Sequence, residues 1–122
     1  MKIRIKGNSV RLRLSKPEVA NLAINGYIEE NTIFVDGVFT YALQSLPDIE
    51  KLAIHFKAGK MLVSMPLDFV KDWPENNTVG LAGVMETQDN QHVEILVEKD
   101  FKCLDGPADP KNEYYENPNL TC

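Results

Sequence analysis

Lys2-Ile3-Arg4-Ile5-Lys6-Gly7-Asn8-Ser9-Val10-Arg11-Leu12-Arg13-Leu14 alternates apolar and charged side chains on either side of a glycine–asparagine pair. Period two is the mark of a strand with one buried face and one wet face. Gly7-Asn8 supplies the tight turn between two such strands. The chain therefore opens as an antiparallel hairpin, with the isoleucines, Val10, Leu12 and Leu14 on the core side and Lys2, Arg4, Lys6, Arg11 and Arg13 on the other. The apolar sides coincide only in the register that sets Arg4 opposite Arg11 and Lys2 opposite Arg13. Like charges directly opposite one another destabilise a sheet, by about 0.2–1 kcal/mol per pair. A negative group is expected to offset them. It is either an acidic strand of the same chain, such as the one carrying Glu94 and Glu98, or a bound anion.

Further along, Ser15-Lys16-Pro17-Glu18 has the capping-box spacing. It predicts a short helix that buries Val19, Leu22 and Ala23 and ends at Gly26, where a left-handed cap favours glycine. Strands are expected at 27–30, 33–36 and 38–44. Residues 51–57 and 60–65 read as a hairpin around Ala58-Gly59, with Leu52, Ile54 and Phe56 sharing a face with Met61, Val63 and Met65. Pro66 opens a second helix, whose stripe is Leu67, Phe69, Val70 and Trp73 and which Pro74 stops. Strands at 78–86 and 92–101 follow, joined by the polar turn Gln88-Asp89-Asn90-Gln91. Beyond Leu104 apolar periodicity ends among Gly106, Pro107, Pro110 and Pro118. No internal repeat is legible. The reading is one α+β domain over 1–104, mainly an antiparallel curved sheet or open barrel with two short helices. An irregular tail over 105–122 completes it.

The chain has 122 residues, enough for one domain with a real core. An apolar share of 43% and a charged share of 25% are ordinary for a globular chain. Apolar runs are far shorter than the roughly 20 residues that cross a bilayer. The alternating start lacks the continuous apolar segment of a secretory signal, so a cytoplasmic location is expected and membrane association is not. In that compartment Cys103 and Cys122 are expected to stay reduced. Net charge is −5, yet residues 1–17 hold six of the 13 cations and none of the 18 acids. That asymmetry points to an anion-binding face. Nucleic acid fits it poorly, because the basic stretch has no aromatic side chain for a base to stack on and the whole protein is acidic.

His92, Glu94, Glu98, Asp100 and Lys102 share one face of the last strand by alternation. Glu98-x-Asp100-x-Lys102 resembles the acidic-x-acidic-x-Lys strand of the triphosphate tunnel enzymes, and Arg11-Leu12-Arg13-Leu14 resembles their basic tunnel strands. The resemblance implies that Glu94, Glu98 and Asp100 hold a divalent cation that bridges phosphate oxygens. Here, however, the motif ends the folded body instead of opening it, and Asp100 stands where those enzymes have glutamate. His55 reads as a surface histidine. His92, Cys103 and Cys122 lack zinc-ligand spacing.

Met65-Pro66-Leu67-Asp68-Phe69-Val70-Lys71-Asp72-Trp73 with Thr78-Val79-Gly80-Leu81 is similar to the strand–Pro–helix–strand unit of swapped-hairpin DNA-binding regulators of the AbrB type. That implies a local geometry, although Asp68, Asp72 and Glu75 outnumber Lys71 where those regulators are basic. Residues 2–14 and Ile95-Leu96-Val97-Glu98-Lys99-Asp100-Phe101-Lys102-Cys103-Leu104 resemble a small family of uncharacterised bacterial cytoplasmic proteins from residue 1 to about 104. This resemblance implies no activity and no catalytic residue.

The function expected first is a small non-catalytic domain. It binds a partner protein or an anionic small molecule through Lys2, Arg4, Lys6, Arg11 and Arg13, and needs no cofactor. The alternatives are a phosphate-handling enzyme that uses a divalent cation at Glu94, Glu98 and Asp100, and a structural subunit of a homo-oligomer. In the latter, a sheet edge or Tyr114-Tyr115 meets its neighbour.

Overall fold

A computed structural model of the chain describes residues 1–101. The expected tail over 105–122, Cys103, Cys122, Lys102 and Tyr114-Tyr115 lie outside the described residues. The element order is β1 (Lys2–Lys6), β2 (Ser9–Leu14), α1 (Lys16–Asn25), β3 (Tyr27–Phe34), β4 (Gly37–Leu46), β5 (Ala53–Lys57), β6 (Lys60–Pro66), α2 (Leu67–Val70), β7 (Gly80–Glu86) and β8 (His92–Lys99). Single 3-10 turns cover Trp73–Glu75 and Gln88–Asn90. No helix among the described residues is long and apolar enough to cross a membrane.

The class is α+β as expected, but the strands form two four-stranded sheets that do not close into a barrel. Their orders are β1-β2-β8-β7 and β3-β4-β6-β5. Each sheet consists of two antiparallel hairpins whose second strands lie side by side and parallel, β2 with β8 and β4 with β6. Alternation in the sequence specifies which face of a strand is buried; it is silent on which distant strand completes the ladder. The two parallel pairings were therefore not legible.

The paired hairpins show a repeat that the sequence hides. Residues 2–46 and 53–99 each run hairpin, helix, hairpin, and the first hairpin of each half pairs with the second hairpin of the other. Val10, Leu12, Leu14, Val19 and Leu22 stand at a constant separation from Met61, Val63, Met65, Val70 and Trp73, and all ten are buried. Only Val19 and Val70 are the same residue type. Burial requires apolar side chains at those places without dictating which ones, so the repeat survives in the pattern and not in the letters.

One cluster joins both sheets and both helices. Val10, Leu12, Leu14, Ile95 and Val97 come from the first sheet, and Leu43, Met61, Val63 and Met65 from the second. Val19, Leu22, Val70 and Trp73 cap them. Helix α1 starts where the capping box places it: the Ser15 amide donates to Glu18 Oε1 at 2.9 Å. It ends at Gly26, whose φ of 75° lies in the left-handed region. The strand–Pro–helix–strand succession around Pro66 is present, but α2 stops after Val70. Pro74 sits inside the following 3-10 turn, not beyond a longer helix. The expected strands at 27–30 and 33–36 are a single strand β3, paired without a break to β4 around Val35-Asp36.

Candidate anion-binding site

Hairpin β1–β2 adopts the register its sequence demands, with Lys2 opposite Arg13 and Arg4 opposite Arg11. All five expected cations therefore share the outer face of the first sheet. Strand β8 lies beside β2 on the same face, with Glu94 level with Ser9 and Glu98 level with Arg13. Its carboxylates answer some of the cations and not others.

Glu98 Oε1 accepts from Arg11, whose Nη2 lies at 2.7 Å, and from Arg13 Nε at 2.9 Å. The Glu98 side chain is 13% exposed, so this double contact is well shielded. Lys2 Nζ lies 3.1 Å from Asp100 Oδ2. The Asp100 carboxylate is fixed in turn by its backbone, whose amide donates to the Leu14 carbonyl at 2.8 Å. Arg4 and Lys6 have no carboxylate partner among the described residues. They border a shallow concavity of about 180 Å³ that Ser9 and Arg11 complete.

The offset of charge is thus partial. Lys2 and Arg13 each have a carboxylate partner, Arg13 sharing Glu98 with Arg11, whereas Arg4 and Lys6 nearer the turn have none among the described residues. Sequence reasoning located the five cations and the acidic strand that serves them. It did not single out Ser9, whose hydroxyl is the neutral hydrogen-bonding group of the concavity; its place beside the turn, level with Lys6, was the available signal.

Glu94 and Glu98 lie on strand β8 and Asp100 just past its end, and the three acids do not converge. Glu94 and Glu98 are four positions apart, about 13 Å along a strand, and Glu98 and Asp100 are engaged by Arg11, Arg13 and Lys2. Among the described residues no three histidine, cysteine, aspartate or glutamate side chains are grouped to hold a metal ion. Glu98 and Asp100, the acids of the tunnel-enzyme likeness, serve here as partners for arginine and lysine.

Lys99 is the other charged side chain that the alternation could have flagged. Its parity is that of Val93, Ile95 and Val97, so it points into the protein, where it is 4% exposed. Its ammonium donates to the Asn76 carbonyl at 2.7 Å and lies 5.9 Å from the centre of the Trp73 ring. Burial pushes its pKa below the ordinary lysine value.

The sequence matches the family of unknown function DUF7009 over residues 1–119. The chain belongs to that family. The match runs past residue 104, where the likeness read from the sequence stopped, and takes in most of the tail. Nothing among curated proteins or solved structures matches it. For this DUF7009 protein, geometry and chemistry are what bear on function.

Proposed function

We propose that this DUF7009 protein is a small non-catalytic binding module. It holds an anionic group in the concavity bordered by Arg4, Lys6, Ser9 and Arg11. One observation carries the reading: Arg4 and Lys6 line that concavity without a carboxylate partner among the described residues, while the neighbouring cations of the same face are neutralised by Glu98 and Asp100.

Size narrows the ligand. A liquid water takes about 30 Å³, so 180 Å³ admits one tetrahedral or carboxylate oxyanion with some of its hydration. Sites that enclose a whole organic ligand have about 300 Å³ or more. The group bound is therefore a free oxyanion, or the phosphate or carboxylate end of a partner whose remainder lies outside. Arg4 offers a planar fork for two oxygens, Lys6 a mobile point charge, and the Ser9 hydroxyl a neutral donor.

The reading places this function in a cytoplasmic domain of residues 1–104, with 105–122 as an appended tail. Thermal denaturation in low salt tests it. Phosphate or pyrophosphate raises the melting temperature of the wild-type protein, and Arg4→Ala/Lys6→Ala removes the effect without lowering the ligand-free melting temperature. An equal shift in the double variant overturns the assignment.

A further inference from the structure

The second hairpins of the two halves end in turns of opposite chemistry. Between β7 and β8 the connection is polar, Gln88-Asp89-Asn90. Between β3 and β4 it is Val35-Asp36, flanked by the paired strand ends Ile33-Phe34 and Gly37-Val38. There Ile33 is 80% exposed, Phe34 57%, Val35 108% and Val38 51%. Phe56, on the neighbouring hairpin, is also exposed. Isolated surface apolar residues are ordinary, but a contiguous set at one tip marks an interaction surface. The polar tip in the other half shows that the architecture does not require it.

Charge on the same end selects the partner. The β5–β6 turn abuts β4, with the Thr40 amide donating to the Gly59 carbonyl at 2.9 Å. At that turn Lys57 stands directly opposite Lys60. Lys60 lies 3.9 Å from Glu29 and over the Tyr27 ring, whereas Lys57 has no acidic partner among the described residues. At the apolar tip the only charge is Asp36, which also has no cationic partner there. One surface thus presents an unanswered acid amid apolar side chains and, beside it, an unanswered cation flanked by Phe56. A two-fold contact brings each feature of one copy onto the other feature of its mate.

We propose that this end of the second sheet is a self-association surface, on which the β3–β4 tip of each copy docks against the Phe56–Lys57 turn of another. Asp36 faces Lys57 in both halves of the contact. The surface lies on the opposite sheet from Arg4 and Lys6, so it stands independently of the anion site.

Sedimentation equilibrium of the full chain over tens to hundreds of micromolar tests the proposal. The wild-type protein reports a dimer. Phe34→Asp and Val35→Asp each raise the dissociation constant at least about tenfold, with unchanged circular-dichroism melts because both side chains are largely solvent-exposed. Asp36→Lys and Lys57→Asp each weaken the dimer, and the combined charge exchange restores it. A monomer throughout that range overturns the proposal, whether or not the tip binds lipid vesicles or an apolar peptide. A dimer indifferent to Phe34→Asp and Val35→Asp, or one not rescued by the exchange, does so too.

Discussion

Arg4 and Arg11 stand directly opposite each other across the first hairpin, and of the two only Arg11 reaches a described carboxylate. The asymmetry arises from strand order. Strand β8 lies against β2, within reach of Arg11 and Arg13, while β1 is the sheet edge one strand further out. Glu98 therefore separates the two paired arginines of β2 from Arg4 on the edge strand.

Replacing Glu98 should change both anion affinity and stability. Glu98→Gln frees Arg11 and Arg13, so phosphate affinity at low ionic strength rises severalfold in calorimetric titration. Stability falls by about 1–2 kcal/mol in urea denaturation. That is below the 3–5 kcal/mol typical of a broken buried pair, because the two arginine side chains are 33% and 41% exposed and solvent screens them.

Glycine at position 80 guards the same pairing. Gly80 lies level with Glu98, and a Cβ added there meets the Val97 carbonyl oxygen and comes within 2.8 Å of Glu98 Cα. Gly80→Ala should cost about 1–3 kcal/mol by overpacking and weaken amide-exchange protection in β7 and β8. Gly37→Ala is the control. A Cβ there meets nothing within 4 Å, and lowering the entropy of the unfolded chain stabilises by about 0.4–1 kcal/mol.

Acid sensitivity should trace in part to Glu18. Burial alone would raise its pKa, but hydrogen bonds from the Met1 ammonium and the Ser15 backbone amide outweigh that and hold it below 4.5. A carboxyl whose folded pKa is depressed contributes stability that is present above its unfolded pKa and lost as pH falls through the folded one. Glu18→Gln keeps an acceptor for the Ser15 amide but loses the charge that pairs with the Met1 ammonium, and should cost about 0.5–1 kcal/mol at neutral pH. It should also flatten the decline in melting temperature below pH 4.5.

The hairpins, the cap at Ser15, the stop at Gly26 and the register at Arg4–Arg11 follow from local rules, and all were legible. Each depends on side chains within a few residues of one another. The parallel contacts of Leu12 with Val97 and of Val63 with Leu43 join strands that are not neighbours in the sequence and meet only after folding, and no periodicity encodes them. The candidate site divides the same way. Alternation placed five cations on one face, but which of them keep their charge unanswered was decided by where β8 docks.

Titrating pyrophosphate into the 15N-labelled protein decides whether Arg4 and Lys6 hold an oxyanion. Saturable shifts should centre on the Arg4, Lys6, Gly7 and Ser9 amides and vanish in Arg4→Ala/Lys6→Ala, whose spectrum otherwise keeps the native dispersion. Shifts that persist in that variant, or that centre on the second sheet, would contradict that assignment.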